Sequence, residues 1–281
     1  MIRIVTDSTC DLPEELIRRH RITVVPVNIQ FGQQSYQEAV TLDREMFYRM
    51  VESLNMIPQT SQPSVGQFQM AYDALSREPD TDAIVSVHLT SRLSGTYDSA
   101  VLAASQMSPG PPITTFDSRS GSMGLGFMAL EAAELAEAGA RLEQIMARLD
   151  ELRRRMTIFF SLNDLRFARM SGRVGAVKAM LVSLLDIKPM LTITEGEIKM
   201  IRRVRTRAQA FPIVVASLAE ALGNRPARLA VIHAQAPDVA EQMRQALVAR
   251  TRPVEVFVCD LSIGIAVHFG PGTVGVVGYH L

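Results

Sequence analysis

The stretch from residue 83 to residue 96 reads Ala83-Ile84-Val85-Ser86-Val87-His88-Leu89-Thr90-Ser91-Arg92-Leu93-Ser94-Gly95-Thr96. Its first six residues form an apolar run of strand length, and the polar residues after them lead into a helix predicted over 95–107. The same order of strand, polar turn and helix begins the chain, with a strand over 2–6 and a helix over 13–19. This alternation predicts an α/β fold whose N-terminal, mainly parallel sheet carries helices on both faces.

The pattern changes in the second half of the chain. A short strand is predicted at 158–160, and a hairpin over 187–204 turns at Glu195-Gly196. Short helices are predicted over 163–170 and 174–184, whereas the earlier segment 55–63 is predicted to be a loop. We therefore predict two domains, an α/β domain over 1–155 and an α+β domain over 156–281.

Composition excludes several classes of protein. Of the 281 residues, 47% are hydrophobic and 21% are charged, which is typical of a globular chain and unlike a disordered one. The 29 Lys and Arg balance the 29 Asp and Glu, so the net charge gives no support to nucleic-acid binding. Two cysteines are too few for a disulfide framework, and the five histidines lack metal-ligand spacing. With no apolar stretch of membrane-spanning length and a charge already at Arg3, we expect a soluble, cytoplasmic protein without a metal.

Polar clusters lie where predicted strands lead into helices, at 7–9, 60–64, 90–96 and 117–120. In open α/β sheets the ligand crevice lies at such carboxyl ends. Ser64 and Gln67 have the spacing of a capping box, so capping alone could explain these residues. Hydroxyls and free N–H groups at helix starts also bind anions. Both interpretations stay open.

His268 ends the apolar run 263–267 and precedes a glycine-rich segment, so it either presents its imidazole to a ligand or is a buried structural residue. The segment 270–275 matches the dinucleotide-binding glycine pattern, but a strand is predicted after it instead of a helix, which excludes that site. Arginines cluster over 166–173 and 202–207. They form either a solvated face or a surface for an anionic partner.

Five short segments resemble one known family. They are Thr6-Asp7-Ser8-Thr9, Thr60-Ser61-Gln62-Pro63-Ser64, Leu93-Ser94-Gly95-Thr96-Tyr97, Ser171-Gly172-Arg173 and His268-Phe269-Gly270-Pro271-Gly272. In this order and spacing they are similar to the motifs of the DegV family of bacterial fatty-acid-binding proteins, over the whole chain. Ser171 stands where a glycine is commoner in that family.

The resemblance implies a DegV-like two-domain fold in which the C-terminal domain closes a lipid cavity. One long-chain fatty acid, such as palmitate, stearate or oleate, would be the ligand, with no other cofactor. Thr60, Ser94 and His268 match the residues that bind its carboxylate, while its acyl chain would be buried in an apolar cavity. The supporting ligand loops would contribute Ser61, Gly95, Thr96 and Gly270.

The resemblance further implies a carrier without catalysis of its own, linked to phospholipid metabolism. It would present the bound acid to an ATP-dependent fatty acid kinase for acyl-phosphate formation, with Arg173 and Arg205 facing the kinase. We expect a monomer that binds no nucleic acid and has no transmembrane segment. Transient membrane contact is compatible with these expectations. One alternative is a Ser–His lipid esterase using Ser94 and His268. Another is a structural α/β protein whose hydroxyls only cap helices.

Overall fold

The computed structural model describes residues 1–173 and 187–281, so the helix predicted over 174–184 lies outside the described residues. The chain divides into two compact units. Unit 1 contains Met1–Arg154 and the short segment Ser262–Gly264, and unit 2 contains Arg155–Leu261 and Ile265–Leu281. The assignment of domains to 1–155 and 156–281 did not include this return segment and stays a prediction.

Unit 1 combines two small sheets with helices. Its strands are β1 (Ile2–Asp7), β2 (Thr23–Val25), β3 (Asn28–Phe31), β4 (Gln34–Gln37), β5 (Gln59–Ser61), β6 (Ala83–His88) and β7 (Ile113–Asp117). Its helices are α1 (Glu14–Arg19), α2 (Arg44–Leu54), α3 (Val65–Ser76), α4 (Thr96–Ser105), α5 (Met123–Glu137) and α6 (Leu142–Arg155), which ends at the unit boundary. A 3-10 turn over Ser8–Cys10 follows β1.

The parallel sheet of unit 1 has the strand order β2-β1-β6-β7. Every residue of β6 is buried. Because successive side chains of a strand point to opposite faces, burial along the whole strand requires cover on both faces. Helices α3 and α4 pack on this sheet through Phe68, Tyr72 and Ala100, and α5 packs on β1 and β6. The predicted α/β class with a helix-flanked parallel sheet is confirmed.

The predicted loop over 55–63 is partly wrong, because β5 forms there. Residues Gln59–Ser61 pair antiparallel with β3, and Thr60 lies opposite the fully buried Ile29. With β4 on its other side, β3 is the central strand of a three-stranded antiparallel sheet. The polar segment is therefore held by backbone hydrogen bonds to a distant strand, which local periodicity does not reveal.

Unit 2 is built on a mixed six-stranded sheet with the order β10-β9-β8-β13-β11-β12. The strands are β8 (Thr157–Ser161), β9 (Lys188–Thr194), β10 (Glu197–Val204), β11 (Pro226–His233), β12 (Arg252–Asp260) and β13 (Val274–His280). The helices are α7 (Leu165–Ser171), α8 (Arg207–Leu222), α9 (Pro237–Val248) and α10 (Ile263–Phe269), whose first residues belong to unit 1. The predicted β9–β10 hairpin is confirmed, with both turn residues Glu195 and Gly196 at positive φ.

The apolar run 263–267 forms the start of α10, and all five of its residues are buried. A helix that is apolar on every face is stable only when it is buried. A helix therefore precedes the glycine-rich segment and strand β13 follows it, the reverse of the order that a dinucleotide-binding unit requires. Elsewhere in unit 2 the core lies where α8 and α9 pack on the sheet, around Leu218, Val231 and Val276.

Candidate functional site

The loop that carries Thr60 is held at both ends. Thr60 and Ser61 belong to β5, and the Asn28 side chain donates a hydrogen bond to the Gln62 carbonyl at 3.1 Å. At the other end, Ser64 caps α3. The Gln67 N–H donates to Ser64 Oγ at 3.2 Å, and the Ser64 N–H donates to Gln67 Oε1 at 2.9 Å. The predicted capping box is confirmed. Thr60 itself is the central residue of the three-residue strand β5.

The loop that carries Ser94 opens helix α4. The Thr96 N–H donates to Ser94 Oγ at 3.2 Å, and Thr96 Oγ1 lies 2.8 Å from the same atom. Gly95 is the residue before the helix, and a Cβ atom there would lie 2.8 Å from Gln62 Nε2. The two predicted ligand loops of unit 1 therefore contact each other, and the absence of a side chain at Gly95 lets Gln62 approach.

The polar clusters at the ends of β6 and β7 also meet, as the parallel arrangement predicts. Ser91 Oγ donates to Asp117 Oδ2 at 2.6 Å, and the Thr90 N–H donates to the Ser120 carbonyl at 2.9 Å. These bonds fix the segment between β6 and Ser94 against the neighbouring turn. Ser94 thus belongs to a loop that is hydrogen-bonded on more than one side.

Sequence reasoning missed a chain of four buried polar side chains in unit 1. Asp7 Oδ2 lies 3.0 Å from His88 Nδ1, His88 Nε2 lies 2.6 Å from Ser86 Oγ, and Ser86 Oγ lies 2.9 Å from the Tyr72 hydroxyl. Asp7 also accepts the Leu89 N–H at 3.0 Å. The hydrogen bonds and the charge interaction with His88 outweigh burial and hold the pKa of Asp7 below its usual value.

Sequence reasoning also missed two buried carboxyl groups at the start of α10. Asp11 accepts hydrogen bonds from the Ser122 hydroxyl and, at 2.8 Å, from the Ser262 N–H. Glu38 accepts from Ser8 Oγ at 2.6 Å and from the N–H groups of Ile263 and Gly264. Burial raises the pKa of Asp11 to about 6. Burial, with a contribution from the nearby Asp11, raises that of Glu38 to about 7.

His268 lies in the last turn of α10, in unit 2. Burial lowers its pKa to about 4, and the positive charge of Arg173 acts in the same direction. At neutral pH the imidazole is therefore uncharged and has one N–H to donate. Gly270 ends the helix at a φ of +77°, and its N–H donates to the Ala266 carbonyl at 2.8 Å. A Cβ atom at this position would lie 2.5 Å from the Phe167 ring, so the turn requires glycine.

The predicted kinase-facing arginines are both exposed residues of unit 2. Arg173 Nη1 donates to the Ser171 carbonyl at 2.7 Å, and the Arg205 N–H donates to Gln209 Oε1 at 3.1 Å. Gly172, at a φ of +71°, makes the turn between α7 and Arg173. Ser171 is the last residue of α7 and does not have a positive φ, so the backbone at this position does not require the commoner glycine. Arg207, a neighbour of Arg205 in sequence, donates from Nη2 to the Gly272 carbonyl at 3.1 Å.

The structure brings together the loops of Thr60 and Ser94 in unit 1, with Ser61, Gly95 and the buried Thr96 beside them. His268 and Gly270 belong to unit 2. Over residues 1–173 and 187–281, no group of His, Cys, Asp and Glu side chains could hold a metal ion. Within the same ranges, no helix has the length and apolar character needed to cross a membrane.

Comparison with known proteins identifies the family. The family model described as uncharacterised proteins of the DegV family matches residues 1–280. The chain belongs to the DegV family. Protein DegV of Bacillus subtilis is 35% identical over 277 residues, which cover 98% of each chain. A DegV domain-containing protein of Deinococcus radiodurans is 36% identical over 98% of this chain and 97% of its own.

Solved structures of DegV proteins have the same fold. The fatty-acid-binding DegV protein from Thermus thermophilus has a TM-score of 0.92 and 34% identity, over 100% of this chain and 99% of its own. A stearic-acid-binding protein from Eubacterium ventriosum has a TM-score of 0.91 and 27% identity, over 100% and 98% of the two chains. The predicted membership of the DegV family is confirmed. Both of these solved structures are of proteins that bind fatty acids.

Proposed function

We propose that this protein binds one long-chain fatty acid and that Thr60, Ser94 and His268 donate hydrogen bonds to its carboxylate. The observation that carries the proposal is the likeness, over the full chain, to the Thermus thermophilus DegV protein that binds fatty acid. A second support is that Thr60 and Ser94 belong to loops that contact each other through Gln62 and Gly95.

The chemistry of the three side chains suits a carboxylate. A buried carboxylate is stable only when donors satisfy its lone pairs, and charge-assisted hydrogen bonds contribute roughly 1.5–3 kcal/mol each. Two hydroxyls supply two donors, and the neutral imidazole of His268 supplies a third. The acyl chain supplies most of the affinity, because each buried methylene contributes about 0.8 kcal/mol.

We further propose that the protein acts as a carrier, without catalysis of its own, and presents the acid to an ATP-dependent fatty acid kinase. A kinase brings negatively charged phosphates, which exposed arginines attract. Arg173 and Arg205 are both exposed, and the charge of Arg173 acts on His268. These features support the choice of these two arginines as the residues that face the kinase.

Binding is tested first by extraction of the purified protein with organic solvent and mass spectrometry of the extract. We expect one long-chain fatty acid per chain. A protein without lipid that also fails to bind added palmitate, stearate or oleate would be the structural α/β protein instead.

The head-group residues are tested by titration of the lipid-free protein with oleate. Thr60→Ala, Ser94→Ala and His268→Ala should each weaken binding, by roughly 1–3 kcal/mol, because each leaves the carboxylate short of a donor. Ser105→Ala is the matched control, since this exposed serine of α4 donates its hydroxyl to the Leu102 carbonyl of its own helix. Unchanged affinity in the triple variant would contradict the assignment.

The esterase alternative makes a different prediction. A Ser–His esterase would hydrolyse a chromogenic acyl ester steadily, and Ser94→Ala would abolish the hydrolysis. Ser94 Oγ accepts the Thr96 N–H and lies 2.8 Å from Thr96 Oγ1, and neither of these groups is a base. We therefore expect no turnover by the protein alone.

A further inference from the structure

The buried side chains Tyr72, Ser86, His88 and Asp7 are hydrogen-bonded one to the next. Asp7 is held as a carboxylate and can only accept, so His88 must donate its Nδ1–H to Asp7 Oδ2. His88 Nε2 lies 2.6 Å from Ser86 Oγ, and Ser86 Oγ lies 2.9 Å from the Tyr72 hydroxyl oxygen, so both pairs are hydrogen-bonded. The position of each member therefore depends on the position of the next one.

The order of bonds is that of a Ser–His–Asp catalytic triad, but the burial excludes this role. Ser86, His88 and Asp7 are each 0% exposed. No substrate could reach Ser86 Oγ without unfolding the sheet, and that atom is already engaged with Tyr72. The role of these four hydrogen-bonded side chains is therefore structural and not catalytic.

The members of the chain lie on the elements that adjoin the two ligand loops. Tyr72 lies in α3, the helix that follows the Thr60 loop, and the ring of Phe68 one turn earlier packs edge-on against His88 at 4.9 Å. His88 ends β6, and Leu89, which begins the segment toward Ser94, donates its N–H to Asp7. Asp7 ends β1, the strand between β2 and β6.

We propose that Asp7, His88 and Tyr72 are positioning residues that fix α3 against the end of β6 and thereby set the placement of the Thr60 hydroxyl relative to the Ser94 hydroxyl. The inference rests on the proposed function, because it assumes that both hydroxyls meet the carboxylate. A buried polar chain suits this task because its hydrogen bonds hold only over a narrow range of distances and angles, whereas apolar contacts allow small sliding movements.

Two substitutions disturb the chain without changing side-chain size much. Tyr72→Phe removes the hydroxyl that is hydrogen-bonded to Ser86 Oγ. Asp7→Asn replaces an acceptor oxygen by a donor. In the wild type, one oxygen of Asp7 accepts from the Thr9 N–H and the other accepts from the Leu89 N–H. One of these N–H groups, or His88 Nδ1–H, must then face the amide NH2.

The control for lost stability is Leu75→Ala. Leu75 lies one turn beyond Tyr72 in α3 and belongs to the same buried cluster, but it has no polar atom to contribute to the chain. The substitution Leu75→Ala should lower the thermal stability at least as much as Tyr72→Phe does. Ser94→Ala serves as the reference for a lost head-group donor.

The readout is the carboxyl resonance of palmitate labelled with carbon-13 at the carboxyl carbon, together with its affinity. This resonance reports on the hydrogen bonds at the head group, and a uniform loss of stability does not move it. We expect Tyr72→Phe and Asp7→Asn to shift the resonance and to weaken binding by roughly fivefold or more. Leu75→Ala should leave the resonance at the wild-type position.

The two proposals fail in different ways. If the labelled acid does not bind the wild type, or if Ser94→Ala leaves the resonance unchanged, the proposed function is wrong. If Ser94→Ala shifts the resonance while Tyr72→Phe and Asp7→Asn behave like Leu75→Ala, the positioning role is overturned and the function stands. If Asp7→Asn does not fold, Tyr72→Phe alone decides, since it removes one oxygen atom from an otherwise intact core.

Discussion

The buried Glu38 should make unit 1 less stable as the pH rises, and Glu38→Gln should remove this dependence. Glu38 has a pKa of about 7 in the folded protein, above its ordinary value of 4.5. The folded state therefore holds the proton more tightly than the unfolded chain does. The contribution is fully present below pH 4.5 and is lost as the pH rises through 7. At 1.36 kcal/mol for each pKa unit, the loss is about 3 kcal/mol.

The substitution also has a cost that does not depend on pH. Glu38 accepts three hydrogen bonds, from Ser8 Oγ and from the N–H groups of Ile263 and Gly264. The Gln amide can accept on one oxygen only, so at least one backbone N–H of α10 loses its acceptor, at a cost of roughly 1–3 kcal/mol. We therefore expect Glu38→Gln to be less stable than the wild type at pH 4.5 and about as stable at pH 8.

The measurement is urea unfolding between pH 4.5 and 8, followed by circular dichroism because the chain has no tryptophan. The decisive quantity is the difference in unfolding free energy between variant and wild type. As the pH rises from 4.5 to 8, this difference should change by about 3 kcal/mol in favour of the variant. Glu52→Gln, at an exposed position of α2, is the control and should leave the pH dependence unchanged. Parallel curves for wild type and Glu38→Gln would refute the reasoning.

Three further predictions concern unit 2. Fatty acid binding should raise the pKa of His268 from about 4, because an adjacent carboxylate favours imidazolium. NMR titrations that follow the ring carbon shifts with and without ligand measure this pKa. An unchanged pKa would show that His268 does not contact the head group. Arg173→Ala and Arg205→Ala should leave fatty acid affinity nearly unchanged and lower acyl-phosphate formation once kinase and ATP are added; unchanged rates would reduce both to surface charge. Gly270→Ala should cost roughly 1–3 kcal/mol in thermal unfolding, since its φ of +77° and the Phe167 ring at 2.5 Å both oppose a Cβ atom; a stability equal to wild type would show that the turn can relax.

Local sequence patterns predicted the elements that bury apolar runs, but not the contacts between distant ones. The apolar run of β6 and the three-residue spacing of Ser64 and Gln67 carry their structural meaning within a few residues, and both predictions are confirmed. The β5 strand has no such pattern, because its pairing with β3 alone makes it a strand.

The missed polar residues follow the same rule. His88 and Asp7 lie 81 positions apart, and only the parallel pairing of β1 with β6 brings them together. Glu38 lies 225 positions from Ile263, so nothing near it in sequence indicates that it is buried. The resemblance to the DegV family named the ligand loops but not these supports, because its motifs mark the loops themselves.

The return of Ser262–Gly264 to unit 1 has a consequence for synthesis on the ribosome. Residues 1–154 emerge first. The residues whose N–H groups donate to Asp11 and Glu38 are synthesised about a hundred residues later. At roughly 5–20 residues per second, the nascent unit waits between about five and twenty seconds with two carboxyl groups that lack these donors. The first unit to begin is thus completed only when α10 begins, and a fragment ending at residue 154 would leave it permanently unfinished.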